Sequence, residues 1–230
     1  TTLLDGANVE FVHAAGKAYC NVQGKDDTYD LYVGGAIGVF ANPSGTNNIY
    51  ITNITVRNSV IDAVGENTML TYAGGIVAGM WWSATTELSY GVVENSAVTA
   101  SSIAPYAYAG GIVGLMQRSN INYCVTKDTD VKAVSEKSNA YAAGVVARVK
   151  EGSANNIKYS YSNASLTAQG VNADASVKYG IVAFGSANID SSGAAKNLFV
   201  YETAGTEKAY SGNTNMALYL ASGYKNTASI

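Results

Sequence analysis

The sequence predicts an all-β fold, a right-handed parallel β-solenoid of about five 33–40-residue repeats with atypical terminal caps. Two sequence elements that recur on one beat carry this expectation, together with a composition in which small polar residues stand in for charge.

The first element is Tyr32 Val33 Gly34 Gly35 Ala36 Ile37 Gly38. It returns as Tyr72 Ala73 Gly74 Gly75 Ile76 Val77 Ala78 and as Tyr108 Ala109 Gly110 Gly111 Ile112 Val113 Gly114. Two weaker copies follow, Tyr141 Ala142 Ala143 Gly144 Val145 Val146 Ala147 and Val177 Lys178 Tyr179 Gly180 Ile181 Val182 Ala183, giving steps of 40, 36, 33 and 36 residues. The second element is a polar residue, then Asn or Asp, then a small residue. It contains Asn58, Asn95, Asp128, Asn163 and, less clearly, Asn197, with steps of 37, 33, 35 and 34. Ala63, Ala100, Ala133 and Ala168 come five residues after the first four, each preceded two positions earlier by Ile61, Val98, Val131 or Leu166. Each unit thus holds at least three short β-like runs, and helical spacing fits none of them.

Alternation assigns the faces, because successive strand side chains point to opposite sides of a sheet. Counted from the first glycine, the even positions hold the tyrosines, then Ala36, Ile76, Ile112, Val145 and Ile181, then Gly or Ala, whereas the odd positions admit Lys178 and Arg148. The even set is therefore expected inside, with Ile37, Val77, Val113, Val146 and Val182 giving the odd face partial cover. In a parallel solenoid, equivalent residues of successive coils lie about 4.8 Å apart, so like residues form ladders. Tyr32, Tyr72, Tyr108 and Tyr141 should stack as an aromatic spine inside a corner. Asn58, Asn95, Asp128 and Asn163 should form a ladder at a bend, since Asn and Asp tolerate the left-handed backbone region. Gly35, Gly75, Gly111, Gly144 and Gly180 should permit close backbone approach where a coil narrows. The two prolines, Pro43 and Pro105, fall between elements, where a missing N–H breaks no ladder.

Gly74 Gly75 Ile76 Val77 and Gly110 Gly111 Ile112 Val113, each followed some twenty residues later by a β-rich Asn-Ser turn, resemble the GLUG-motif repeats of large extracellular bacterial proteins. The resemblance covers roughly residues 31 to 185, with Ile where that motif usually has Leu, and without the first glycine in the last two copies. Such repeats occur in adhesin-like surface proteins and in immunoglobulin-cleaving metallopeptidases, outside the catalytic domain. The resemblance therefore implies a location and an architecture rather than a chemistry.

The 230 residues are read as one domain, with an N-terminal cap at 1–30, repeats at 31–199 and a C-terminal cap at 200–230. Charged residues make up 13%, against about 25% in an ordinary soluble protein, so small polar groups must solvate the surface. Net charge is −3 with no basic cluster, which gives no support to a nucleic-acid or membrane-surface partner. No apolar run is long enough to insert into a bilayer. Thr1 to Gly6 lacks the pattern of a signal peptide, so the expectation is a mature, soluble piece of a larger or lipid-anchored protein at the bacterial cell surface or outside it. Cys20 and Cys124, 104 positions apart, are expected as buried small hydrophobes.

For chemistry, the recurring Gly-Gly segment has no helix after it and is not a dinucleotide loop. A single histidine, His13, excludes the two-histidine zinc motif and is expected as a cap residue. Asp26, Asp27 and Asp30 cluster before the first repeat, and Asp128 and Asp130 share a bend; neither group matches a calcium loop. No cofactor and no metal is expected. Loops emerge along one edge after the Gly-Gly strand: Ala41 to Asn48, Met80 Trp81 Trp82 Ser83, then Gln117 Arg118 Ser119 Asn120. Adjacent residues of a strand point to opposite faces, so at least one of Trp81 and Trp82 should be exposed and offer an aromatic face to a glycan or host protein. The leading expectation is a non-enzymatic, adhesin-like binding domain. Its alternatives are a carbohydrate-active β-helix enzyme, a lyase or hydrolase using Asp26, Asp27 and Asp30, and a pure spacer.

Overall fold

A computed structural model describes residues 9–12, 18–20, 29–42, 48–66, 68–82, 86–103, 105–150, 155–185 and 187–189. They form a parallel β-solenoid with five strands to a coil, stacked into five parallel sheets of five strands each. Sheet 1 comprises Val9–Val12, Ile54–Arg57, Val92–Glu94, Val125–Lys127 and Tyr161–Ser162. Sheet 2 comprises Ala18–Cys20, Val60–Gly65, Ala97–Ser102, Asp130–Ser135 and Ser165–Gln169. Sheet 3 comprises Leu31–Gly34, Leu70–Gly74, Tyr106–Gly110, Ala140–Ala143 and Ser176–Tyr179. Sheet 4 comprises Ile37–Asn42, Val77–Trp82, Val113–Met116, Val146–Val149 and Val182–Phe184. Sheet 5 comprises Ile49–Thr52, Thr86–Ser89, Ser119–Asn122, Asn156–Lys158 and Asn188–Ile189.

Left-handed single residues separate neighbouring strands at two of the coil's corners. Between sheets 5 and 1 these are Asn53, Tyr90, Tyr123 and Tyr159, with φ from 51° to 58°. Between sheets 1 and 2 they are Asn58, Asn95 and Asp128, with φ of 52°, 47° and 47°. Asn95 donates through Nδ2 to Asn58 Oδ1, and Asn163 donates to Asp128 Oδ1 at 2.9 Å, so both of these amides bond to the coil beside them. Inside this corner Ser59, Ser96 and Thr129 make a buried hydroxyl ladder: the Ser59 N–H donates to Ser96 Oγ at 3.1 Å. A buried corner backbone would otherwise hold unpaired donors, which cost about 1–3 kcal/mol each.

The interior is a set of apolar columns running along the axis. Ile51, Leu88, Ile121 and Ile157 form one; Ile76, Ile112, Val145 and Ile181 form another, all essentially inaccessible to solvent. Ile61, Val98 and Val131 with Ala63, Ala100 and Ala133 occupy the wall opposite, in strict register. Full burial of each large aliphatic side chain contributes about 1.5–3 kcal/mol.

Alternation misassigns the tyrosines. Ala73, Ala109 and Ala142 point inward with Val77, Val113 and Val146, whereas Tyr72, Tyr108 and Tyr141 belong to a separate cluster on the outer side of sheets 3 and 4. Strict alternation holds only within an uninterrupted strand. The glycine bend between sheets 3 and 4 suspends it, so that Ile76 and Val77 both face in. The bend also opens outward, and the outer faces of the two sheets become walls of a groove.

Val9–Val12 and Ala18–Cys20 pair in parallel with Ile54–Arg57 and Val60–Gly65, so the first coil begins inside the 1–30 stretch read as a cap. Extending the sheets by these strands satisfies edge groups that a bare coil would expose. His13, Asp26, Asp27, Pro43, Asn197 and the 200–230 cap lie outside the described residues.

The second-position glycines are where the fold tolerates no side chain. A Cβ on Gly75 would land on the carbonyl oxygen of Gly111, and one on Gly111 would land on that of Gly144. Gly38 is different: its nearest neighbour would be the Tyr32 carbonyl oxygen at 3.6 Å, an ordinary contact. Gly111→Ala is therefore expected to destabilise by about 1–3 kcal/mol, as overpacking does, while Gly38→Ala stays within about 0.5 kcal/mol of the parent. Urea unfolding followed by circular dichroism measures both; equal midpoints for the two variants would contradict the close approach.

Candidate functional site

The groove is built on the tyrosine ladder, of which Tyr32 and Tyr72 line it. Tyr32, Tyr72, Tyr108 and Tyr141 stack with ring centroids 5.0, 5.0 and 4.9 Å apart and planes within 15°. Parallel register sets this spacing, placing Tyr32, Tyr72, Tyr108 and Tyr141 directly over one another. Each offset-stacked pair adds about 0.5–1.5 kcal/mol beyond burial. Two residues upstream of each tyrosine comes a second outward column: Asp30, Leu70, Tyr106 and Asn139. Its polar members hold the phenol groups. The Tyr32 hydroxyl donates to Asp30 Oδ2 at 3.0 Å, and Asn139 Nδ2 donates to the Tyr141 hydroxyl at 2.9 Å.

The opposite wall comes from sheet 4, where Val39, Gly79, Leu115, Arg148 and Phe184 form the first outward column. Gly79 leaves a gap, and the Trp81 ring folds back over it, ending 5.1 Å from the Tyr32 ring at a 47° tilt. Arg148 reaches across the groove. Its Nη1 donates to the hydroxyl of the fully buried Tyr72, and its guanidinium carbon lies 5.3 Å from the centre of the Tyr108 ring and 5.8 Å from that of Phe184. Cation–π contacts of this kind contribute about 0.5–2 kcal/mol, more as the site dries. The resulting space measures about 610 Å³, within the range of about 300–1,000 Å³ typical of small-molecule sites. Arg118, at a left-handed corner with φ of 50°, and Lys150 stand at its mouth.

Two buried polar atoms in this groove have no hydrogen-bond partner: Asp30 Oδ1 and Arg148 Nε. Burial raises the Asp30 carboxyl above its ordinary value, although the Tyr32 hydroxyl and Arg148 pull it back. Desolvation also lifts the phenols, Tyr72 to about 12 and Tyr32 and Tyr108 further, so all three act as neutral donors and acceptors near neutrality. The groove is thus an aromatic trough with one weakened carboxylate and a cationic end.

Of the residues singled out from sequence, Asp30, Tyr32, Tyr72, Trp81, Gln117 and Arg118 meet in this groove. Trp81 is half-buried and covers the flank of the ladder rather than projecting freely; Trp82 is placed by its backbone pairing with Asn42, and its side chain lies outside the description. Asp128 belongs to the Asn ladder, away from this groove. Cys124 is a free, buried thiol, its pKa pushed up to about 12 by burial. Sequence reasoning missed Met69, Leu70, Leu115, Arg148 and Lys150. The available signal was the column of Val39, Gly79, Leu115, Arg148 and Phe184, whose five unlike side chains break the rule of like over like. A second tyrosine stack, Tyr90, Tyr123 and Tyr159 with centroids 5.1 and 4.5 Å apart, runs along the corner between sheets 5 and 1. No family model, curated protein or solved structure matches the chain.

The Asp30 shift makes stability depend on pH. A carboxyl raised in the folded state contributes stability that is complete below its ordinary value of 3.8 and lost as pH rises through the folded value. Asp30→Asn should therefore gain on the parent as pH climbs from about 4 towards 7. Urea midpoints of both proteins across that range test it, and a difference that stays flat with pH would count against a buried, raised Asp30.

Proposed function

We propose that the chain is a non-enzymatic, adhesin-like binding domain of a secreted or cell-surface bacterial protein, and that it holds a glycan in the groove between sheets 3 and 4. The observation that carries this reading is the pairing of Trp81 with Tyr32 beside Asp30: tilted aromatic faces next to a carboxyl with an unused oxygen. A sugar ring has an apolar C–H face that packs on an aromatic ring and a rim of hydroxyls that need directed acceptors and donors. Asp30 supplies an acceptor, and the Tyr32 and Tyr72 phenols, bound to Asp30 and Arg148, are fixed polar groups beside it.

The low charge, the repeat and the resemblance to GLUG-motif proteins support an extracellular setting. Trp81→Ala is expected to weaken binding to the best ligand of a glycan array at least about tenfold, or roughly 1.4 kcal/mol, with the fold unchanged by circular dichroism. Undiminished binding by that variant, or silence of the parent across the array, would sink the reading.

A further inference from the structure

We infer that the ligand of this groove is an acidic oligosaccharide, one whose carboxylate-bearing sugar lies at the end of the groove formed by the third and fourth coils. The inference rests on the glycan reading above and adds the class of sugar.

Charge is distributed unevenly along the axis. Asp30, Tyr32 and Trp81 belong to the first two coils, whereas Arg118, Arg148 and Lys150 come from the third and fourth. Three of the chain's 14 basic residues thus gather at one end of a groove on a protein of net charge −3. Concave, low-dielectric walls lined by one sign of charge concentrate the field in the cleft. The single carboxylate that opposes them is weakened by its own burial, and Arg148 spends one nitrogen on a neutral phenol rather than on an acid. Arg148 also keeps a buried Nε with no hydrogen-bond partner, a donor left for an incoming anion at this end.

Register supplies the length. Gln117 N–H donates to the Met80 carbonyl at 2.9 Å and Lys150 N–H to that of Met116 at 2.9 Å, so Trp81, Gln117 and Lys150 occupy one column in successive coils. Two coil steps of about 4.8 Å separate the backbone of Trp81 from that of Lys150 by about 10 Å. A ligand that stacks on Trp81 and presents an anion to Lys150 must extend past one sugar ring. The fork of an arginine matches a planar carboxylate in particular, so a uronate fits this end better than a neutral sugar. A peptide with acidic side chains offers the charge but no ring face for Trp81, which is why the saccharide is favoured.

Titration calorimetry with the full chain and four probes tests this: a tetragalacturonate, its carboxyl-reduced neutral counterpart, a sulfated oligosaccharide of similar length and poly-glutamate. The expected result is binding of the tetragalacturonate at least about tenfold tighter than its reduced form, weakening as salt is raised. The double variant Arg118→Gln, Lys150→Gln changes only exposed side chains and should lose most of that preference. Arg148→Leu, which restores the residue that the preceding coil carries, should lose it too. Equal binding of the acidic and reduced tetramers overturns the acidic preference while leaving the glycan reading intact. A tighter sulfated probe overturns the carboxylate assignment. Poly-glutamate bound best and unaffected by Trp81→Ala, or no probe bound at all, overturns both.

Discussion

Parallel pairing of each coil with the next, residue over equivalent residue, is the constraint from which the rest of this structure follows. One repeat of about 4.8 Å along the axis suits backbone hydrogen bonds, side-chain amide chains and stacked rings alike. Asn58 and Asn95 bond to each other, Ser59 and Ser96 bridge, and Tyr72 stacks on Tyr108, all because the same register places them there. The same spacing is intolerant where backbones touch. Each second-position glycine faces the carbonyl of its counterpart in the next coil, so a side chain there would push two coils apart and strain every ladder at that level.

The glycine bend has a further effect, which joins folding to the groove. A corner that opens outward turns a ladder of large aromatic rings to the outer side of the solenoid, where it needs cover. Trp81, Leu115, Arg148 and Phe184 provide it, and Tyr72 is consequently inaccessible to solvent although it lies outside the main core. The covering side chains are the ones that shape the groove. Stability and recognition are thus served by one surface: the floor is a packed ladder, and its lid is a row of residues free to differ from coil to coil.

The repeat, the parallel stacking, the Asn ladder and the glycine ladder were legible in the sequence because each leaves a periodic trace. Asn58, Asn95 and Asp128 announce a left-handed corner by residue type, and their φ angles agree. The side on which the tyrosines lie was not legible. Alternation counts residues along a straight strand, and nothing in the letters Gly74 Gly75 states that the bend lets Ile76 and Val77 face the same way. With the tyrosines counted as interior, Arg148 is one more polar residue on the odd face, and nothing in the alternation links it to Tyr72, to which it donates. Trp81 drew notice as an aromatic, but its partner Tyr32 lies 49 positions away, and only register across the first two coils brings the rings together.

In a solenoid, then, sameness and difference along a column carry separate meanings. A column that repeats one residue type is held by contacts between coils: the alanines at 63, 100 and 133 fill one narrow place in the core three times over. A column of unlike residues gains nothing from stacking, since Gly79, Leu115 and Arg148 cannot form a ladder. Such a column persists only if its members answer to something other than their neighbours above and below. Here Gly79 admits the Trp81 ring, Leu115 packs on the tyrosines, and Arg148 ties Tyr72 and Tyr108 while bringing positive charge to one end. The unlike column converts a monotonous floor into a surface with an aromatic end and a cationic end, and direction along the axis is what a repetitive scaffold most lacks when it must bind one ligand in one orientation.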